Sequence, residues 1–212
     1  MKTEQLKDKG ELIKKFVNDK DVVLDVGFWG QGISIGNENW VHGLIEDTGA
    51  LLYGVDLEYD DTKINDKERY QKTSAENFNF NVMFSKIIAT DIIEHLSNPG
   101  LFLSCSARHL VSGGELIITT PNCFNLFNLA MKLTRFDPVV NSDHTFYFNY
   151  KTLSKLLEKN GFSVRKFGYL YTTGVEHKES FKKKFLNIVY YTLSKFTPKF
   201  YETIYIVAVP FK

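Results

Sequence analysis

The stretch Asp25-Val-Gly-Phe-Trp-Gly-Gln-Gly32 follows the apolar run Val22-Val-Leu24 and nearly spells a nucleotide-binding loop. A strand that ends in glycine and turns toward a helix lets backbone N–H groups approach a ligand closely. Gly27, Gly30 and Gly32 are the candidates for that turn. Asp25 places a carboxylate just before them, which would repel a pyrophosphate but suits a ligand carrying an amine and a sulfonium. Phe28 and Trp29 stand where such loops usually keep small residues. A one-residue insertion rebuilds the loop around Gly27, Gly30 and Gly32, and a ring face beside a cation is favourable. Asp56, followed by Leu57, ends the run Leu51-Leu-Tyr-Gly-Val55, where a carboxylate can accept from both ribose hydroxyls. Asp91 ends another run, Lys86-Ile-Ile-Ala-Thr90. Two histidines compete as general base: His95, one turn past Asp91, and His144, beside Asp143, which is placed to orient its ring. No metal ligands are expected.

These residues need elements to hold them. Apolar spacing over residues 3–18 predicts an amphipathic N-terminal helix. Residues 21–26 read as a buried strand and 39–46 as a helix, with Asn37 or Asn39 as its cap. Further strands are expected at 51–56, 86–90, 115–120, 162–167 and 203–209. Asp91 is read as the cap of a helix carrying Ile92 to Leu96, residues 101–110 form a helix that Ser112-Gly-Gly114 breaks, and 150–160 form one closed by Gly161. Strands alternating with helices predict a three-layer αβα sandwich, Rossmann-like, with a mostly parallel seven-stranded sheet and an antiparallel final strand. The chain is read as one domain over residues 1–212, with a helical excursion at 173–201 before the last strand.

In this order the pieces resemble the class I S-adenosylmethionine-dependent methyltransferases. Val23 to Gly27 resembles that family's first motif and Gly54-Val-Asp56 its second. Ser74-Ala-Glu-Asn77 is similar to the segment that meets the adenine, which implies donor contacts at Ala75 and Glu76. Thr90 to Leu96 resembles the exit of the fourth strand, with its Glu-His-Leu signature, and Gly113-Gly114 with Leu116 to Asn122 resembles the turn and fifth strand. Asp143 to Phe148, followed by Leu153, Leu156, Leu157, Gly161 and Phe162, is similar to a segment common in members found with glycan-synthesis enzymes. The resemblance implies S-adenosylmethionine as cofactor, held by Asp25, Gly27, Phe28, Trp29, Gly30, Gly32, Asp56, Leu57, Ala75, Glu76 and Asp91. It implies methyl transfer to a small hydroxyl-bearing acceptor, a sugar or glycan intermediate among the options, with His144 or His95 as base.

Bulk properties bound the alternatives. A chain of 212 residues with 43% hydrophobic content suits one sizeable α/β domain. Its net charge of +1 and lack of a basic stripe argue against nucleic acid as a partner. Two cysteines make no disulfide framework and fit a reducing, cytoplasmic setting, and the charged N-terminus lacks a signal-peptide core. The segment 180–200, with Lys182, Lys183 and Lys184 at its opening, is a candidate for peripheral membrane contact. The oligomeric state is left open. One alternative is a non-catalytic binding module in which Phe28 and Trp29 fill the donor space. Another is a nicotinamide-dependent oxidoreductase, which Asp25 and the missing second mononucleotide half count against.

Overall fold

A computed structural model describes residues 3–29, 37–133, 141–171 and 198–211, excepting the side chains of 127, 130, 131 and 198. In these residues the elements run β1 (Glu4–Leu6), α1 (Lys9–Phe16), β2 (Val22–Val26), α2 (Val41–Glu46), β3 (Leu51–Asp56), β4 (Tyr70–Lys72), β5 (Phe84–Thr90), α3 (Pro99–His109), β6 (Leu110–Pro121), α4 (Leu126–Leu133), α5 (Tyr150–Lys159), β7 (Phe162–Leu170) and β8 (Thr203–Pro210). The strands form one sheet of eight in the order β1-β7-β8-β6-β5-β2-β3-β4. β8 pairs antiparallel with both β6 and β7, and every other pairing is parallel. The architecture is the expected Rossmann-like αβα sandwich with an antiparallel final strand; the count of seven is corrected to eight.

The two core layers follow from the two-residue period of the strands. Leu24, Val26, Val55, Ile87, Ala89, Leu116 and Ile118 face one layer, which Phe102 and Leu103 of α3 and Leu153 and Leu157 of α5 cover. Val23, Leu52, Ile88, Ile117 and Val207 face the other, covered by Leu12, Ile13 and Phe16 of α1 and Ile45 of α2. Asp25 lies between Leu24 and Val26, so its side chain shares the face of Val23 and points toward α2 rather than over the sheet edge. Because β2, β3, β5 and β6 are parallel, their carboxyl ends share one edge, and that is where Gly27, Asp56, Asp91 and Asn122 emerge.

Several boundaries differ from expectation. The N-terminal helix of 3–18 is instead a strand and a shorter helix. Glu4 to Leu6 pair with Gly168 to Leu170, and the Asp8 carboxylate accepts from Glu11 N–H, which starts the helix at Lys9. β1 and β4 were too short, at three residues each, to show a period. Neither Asn37 nor Asn39 caps α2; Trp40 occupies that position without a side-chain cap, and Asn37 Oδ1 accepts from Asn39 N–H. The helix expected over Ile92 to Leu96 is a turn, closed by His95 N–H to Ile92 O at 2.9 Å. The true helix α3 starts at Pro99, whose fixed φ suits a first helical position, with Asn98 capping Leu101 N–H. Ser112 to Gly114 belong to the long strand β6, since Leu110 already pairs with Phe84. Gly161 closes α5 at φ +84°, as expected. Most of the excursion 173–201, including residues 180–197 of the candidate membrane segment, lies outside the described residues. Among the described residues no helix is long and apolar enough to cross a membrane.

Candidate active site

Gly27 makes the turn that ends β2. Its φ is +78°, its N–H donates to Val55 O at 2.8 Å, and a Cβ there would lie 2.1 Å from Ile92 Cδ1. Only glycine meets both demands, and the turn is thereby pressed against the exit of β5. Gly30 and Gly32 lie outside the described residues.

Asp25 and Phe28, both expected at the donor, are buried in the structure. Asp25 is 1% exposed and its Oδ2 lies 3.0 Å from His42 Nδ1. His42 Nε2 in turn lies 3.0 Å from the Tyr70 hydroxyl. Burial pushes the Asp25 carboxyl up, and the hydrogen bond and charge of His42 pull against it. Burial likewise pushes the Tyr70 phenol up to about 12. Phe28 is 2% exposed, with its ring within 4.9–5.1 Å of the rings of His42, Tyr59 and Tyr70. The slot exists because Gly54 has no side chain: a Cβ there would meet Phe28 Cδ1 and Tyr70 Cδ1, each at 2.7 Å. Trp40 Nε1–H donates to Phe28 O at 2.8 Å and fixes the backbone beneath the ring. Phe28 therefore anchors the start of the loop in the core.

Asp56 is half-buried at the end of β3. Its Oδ2 accepts from Trp29 N–H at 3.0 Å and its Oδ1 from Glu58 N–H at 3.2 Å. A carboxylate offers about four acceptor positions, so lone pairs remain for a diol. Trp29 is half-buried, and Leu57 is exposed. Ala75 packs on the main core, while Glu76 Oε1 accepts from Asn98 N–H at 2.7 Å and ties its loop to the start of α3.

Asp91 is the one non-glycine residue with positive φ, +54°, among the described residues. Its Oδ1 accepts from Thr119 Oγ1–H at 2.8 Å, its N–H reaches Thr119 O at 3.0 Å, and its Oδ2 meets Lys9 Nζ at 2.7 Å. Burial acts to raise this carboxyl, but Lys9, Thr119 and His144 outweigh it and hold it below the ordinary value.

The two candidate bases meet. The rings of His95 and His144 are 4.6 Å apart, edge to face. Glu94 carries the loop of His144: its backbone oxygen accepts from Thr145 N–H at 2.8 Å and Phe146 N–H at 3.1 Å, while Thr145 Oγ1–H reaches Leu96 O at 2.8 Å. Asp143 is exposed and accepts from Ser142 Oγ–H at 3.3 Å; this hydroxyl replaces the ring contact expected of it. Burial, then His95, push the His144 imidazole below its usual range, against Asp91 and Asp143. Glu94 itself is 1% exposed; Thr120 Oγ1–H donates to Oε2 at 2.9 Å, and Oε1 has no partner. Burial, then the charge of Asp91, push this carboxyl up to about 8. Glu94, His95 and His144 also present ligand atoms within 4.8 Å of one another, a spacing a divalent cation can bridge, where no ligand set was expected. Lys9, His42, Tyr70 and Glu94 were not among the expected site residues. Glu94 stands in the Glu-His-Leu stretch and was legible there; Lys9, 82 positions from Asp91, was not.

A glycine turn and two strand-end carboxylates, Asp56 and Asp91, on one edge of a parallel sheet are the frame of a donor site. A family model described as a methyltransferase domain matches residues 5–166. The chain belongs to this family. Members of this family use S-adenosylmethionine, the cofactor expected above. The human mitochondrial ubiquinone biosynthesis O-methyltransferase is 32% identical over 88 residues, covering 39% of this chain and 24% of that protein. The rat counterpart is 30% identical over 86 residues, with 38% and 25% covered, so the chain spans about a quarter of these curated relatives. A SAM-dependent methyltransferase from Archaeoglobus fulgidus superposes with a TM-score of 0.61 at 19% identity, covering 94% of this chain and 91% of that one. The magnesium protoporphyrin IX methyltransferase from Synechocystis, solved with bound SAH, gives 0.57 at 16% identity, with 94% and 78% covered. At these identities the structures establish the methyltransferase fold.

Proposed function

We propose that this protein methylates a small hydroxyl-bearing acceptor, with the donor over the carboxyl ends of β2 and β3 and the acceptor over those of β5 and β6. The residues fit the donor: Gly27 makes a left-handed turn at the end of β2 that keeps the backbone free of a side chain, Asp56 keeps lone pairs for the ribose, and Asp91 offers a carboxylate to a cationic group. When bound, S-adenosylmethionine supplies an activated methyl on a sulfonium. The chain's own part is alignment and proton handling. His144, kept neutral by burial and by His95, takes the proton of the acceptor hydroxyl. His95 packs edge to face against the ring of His144, and the buried Glu94 carboxyl lies within 4.8 Å of ring nitrogens of both. The observation that carries this reading is the meeting of His95 and His144 beside Asp91 on the edge that Gly27 turns away from.

The curated relatives are O-methyltransferases of ubiquinone biosynthesis, which favours oxygen as the methylated atom. The finer choice of a sugar or glycan intermediate rests on the sequence segment Asp143 to Phe148 alone. Calorimetry with S-adenosylmethionine and S-adenosylhomocysteine, followed by transfer of a labelled methyl to a panel of sugars, catechols and phenols, tests the proposal. Binding and transfer to a hydroxyl are expected. Absence of donor binding at millimolar concentration would return the chain to the non-catalytic alternative.

A further inference from the structure

Glu94, His95 and His144 come from two short segments, the turn after β5 and the loop before α5. These segments are tied to each other directly. Thr145 N–H and Phe146 N–H both donate to Glu94 O, and the Thr145 hydroxyl lies 3.0 Å from Glu94 O and 2.8 Å from Leu96 O. The buried Glu94 carboxyl is used unevenly. Thr120 Oγ1–H donates to Oε2 at 2.9 Å, whereas Oε1 is shut away from solvent with no partner. A buried oxygen left unpaired is costly, and a cation would satisfy it. The Thr120 bond would then hold the carboxylate in place, as supporting contacts do around bound metals. Among the described residues this is the one group of three such side chains that converges. Zinc bonds hold ligand atoms about 3.4 Å apart in a tetrahedron. The three ligand atoms, within 4.8 Å of one another, would draw in by about 1.4 Å at most, which side-chain torsions can supply.

Two half-buried imidazoles and one carboxylate suit a zinc-class ion that keeps an open position; magnesium and calcium prefer oxygen ligands. We propose that Glu94, His95 and His144 form a binding site for a zinc-class divalent cation, and that the bound ion shuts off methyl transfer by taking the His144 lone pair. A neutral imidazole has one free ring lone pair, and the other nitrogen carries the proton. Once that lone pair is on the ion, the ring has nothing left with which to accept the proton of a hydroxyl. Only this exclusion rests on the methyl-transfer reading above; the binding of the ion does not.

Calorimetry on the full chain with zinc chloride, without donor or acceptor, tests the site. The unaltered protein is expected to bind a single zinc ion and to give no response to magnesium chloride. Glu94→Gln and His95→Asn, each shown by thermal melting without metal to fold, are expected to weaken zinc by about tenfold or more. Cobalt(II) chloride serves as a coloured substitute; the visible absorption of a four-coordinate site is expected, and is expected to be lost in both variants. Cys123→Ser controls for capture by the half-buried thiol past β6 and is expected to bind as the unaltered protein does. No zinc binding, binding that survives both Glu94→Gln and His95→Asn, or binding lost in Cys123→Ser overturns the inference. Zinc is then added to the transfer assay with an acceptor from the panel above. Loss of transfer in proportion to zinc occupancy is expected, and transfer unchanged at full occupancy overturns the exclusion. If zinc binds through these ligands but no compound of the panel is methylated, the methyl-transfer reading falls and the ion site stands.

Discussion

Glu94→Gln isolates one buried proton. In the native protein Oε2 is bonded to Thr120, Oε1 is buried without a partner, and the carboxyl is pushed up to about 8 by burial and by Asp91. In the unfolded chain it titrates near its ordinary 4.5. Between these values the unfolded state has shed a proton that the folded state keeps, so stability falls as pH rises, by ~1.4 kcal/mol per pH unit. This group's contribution is fully present below the unfolded value and is lost as pH climbs through the folded one. Glutamine copies the neutral carboxyl and cannot ionise, so the variant should lack this slope. Between pH 5.5 and pH 7.5 the stability gap should therefore move in favour of the variant by ~2–3 kcal/mol. His144, whose depressed pKa makes folding lose stability at lower pH, is present in both proteins and cancels to first approximation. Urea unfolding of both proteins at several pH values reads the gap. Parallel curves would mean that Glu94 is ionised in the native state, as an ion pair with a protonated histidine requires, and His144 would then be no neutral base.

Three further outcomes are expected. Gly27→Ala should cost ~1–2 kcal/mol for the left-handed backbone alone and more for the contact with Ile92 Cδ1 at 2.1 Å; urea unfolding should show the contact part recovered in Gly27→Ala/Ile92→Ala, while calorimetry shows donor affinity still reduced. Gly54→Ala should cost ~1–3 kcal/mol by overpacking Phe28 and Tyr70, and pairing it with Phe28→Leu should cost less than the sum of the two, read in a double-mutant unfolding cycle. With His144 as base, kcat/KM should rise with pH along a limb centred below the ordinary histidine value, and His144→Asn should lower the rate and abolish that limb in a pH-rate profile.

The sheet was legible because its strands are apolar runs bounded by glycine, proline and acids, and their ends marked where chemistry can emerge. Gly27, Asp56 and Asp91 stand at those ends. What escaped was whatever depends on contact across the sequence. Three-residue strands such as β1 and β4 show no period, and the turn at Ile92 to Leu96 looks helical until Asn98-Pro99 claims the helix start further on. His42 and Tyr70 have no signal of their own. They matter because Asp25 lies opposite Gly54 across β2 and β3, and the missing Cβ lets Phe28 seal both rings beside it.

This has a consequence for the electrostatics of the site. Read along the chain, Asp25, Asp56 and Asp91 are equivalent acids at strand ends. Parity separates them. Asp25 is the last but one residue of β2 and is committed to the face of α2, where the buried His42 ring takes its hydrogen bond. Asp91 is the first residue past β5, and the left-handed turn lifts it out of the alternation, toward the edge and toward Lys9. Of these two carboxylates, the one whose backbone departs from the strand, Asp91, stays a quarter exposed, while Asp25 is sealed in. Strain at Asp91 and solvent-shielded pairing at Asp25 are thus two outcomes of the same sheet geometry, and the first is where ligand recognition should be sought.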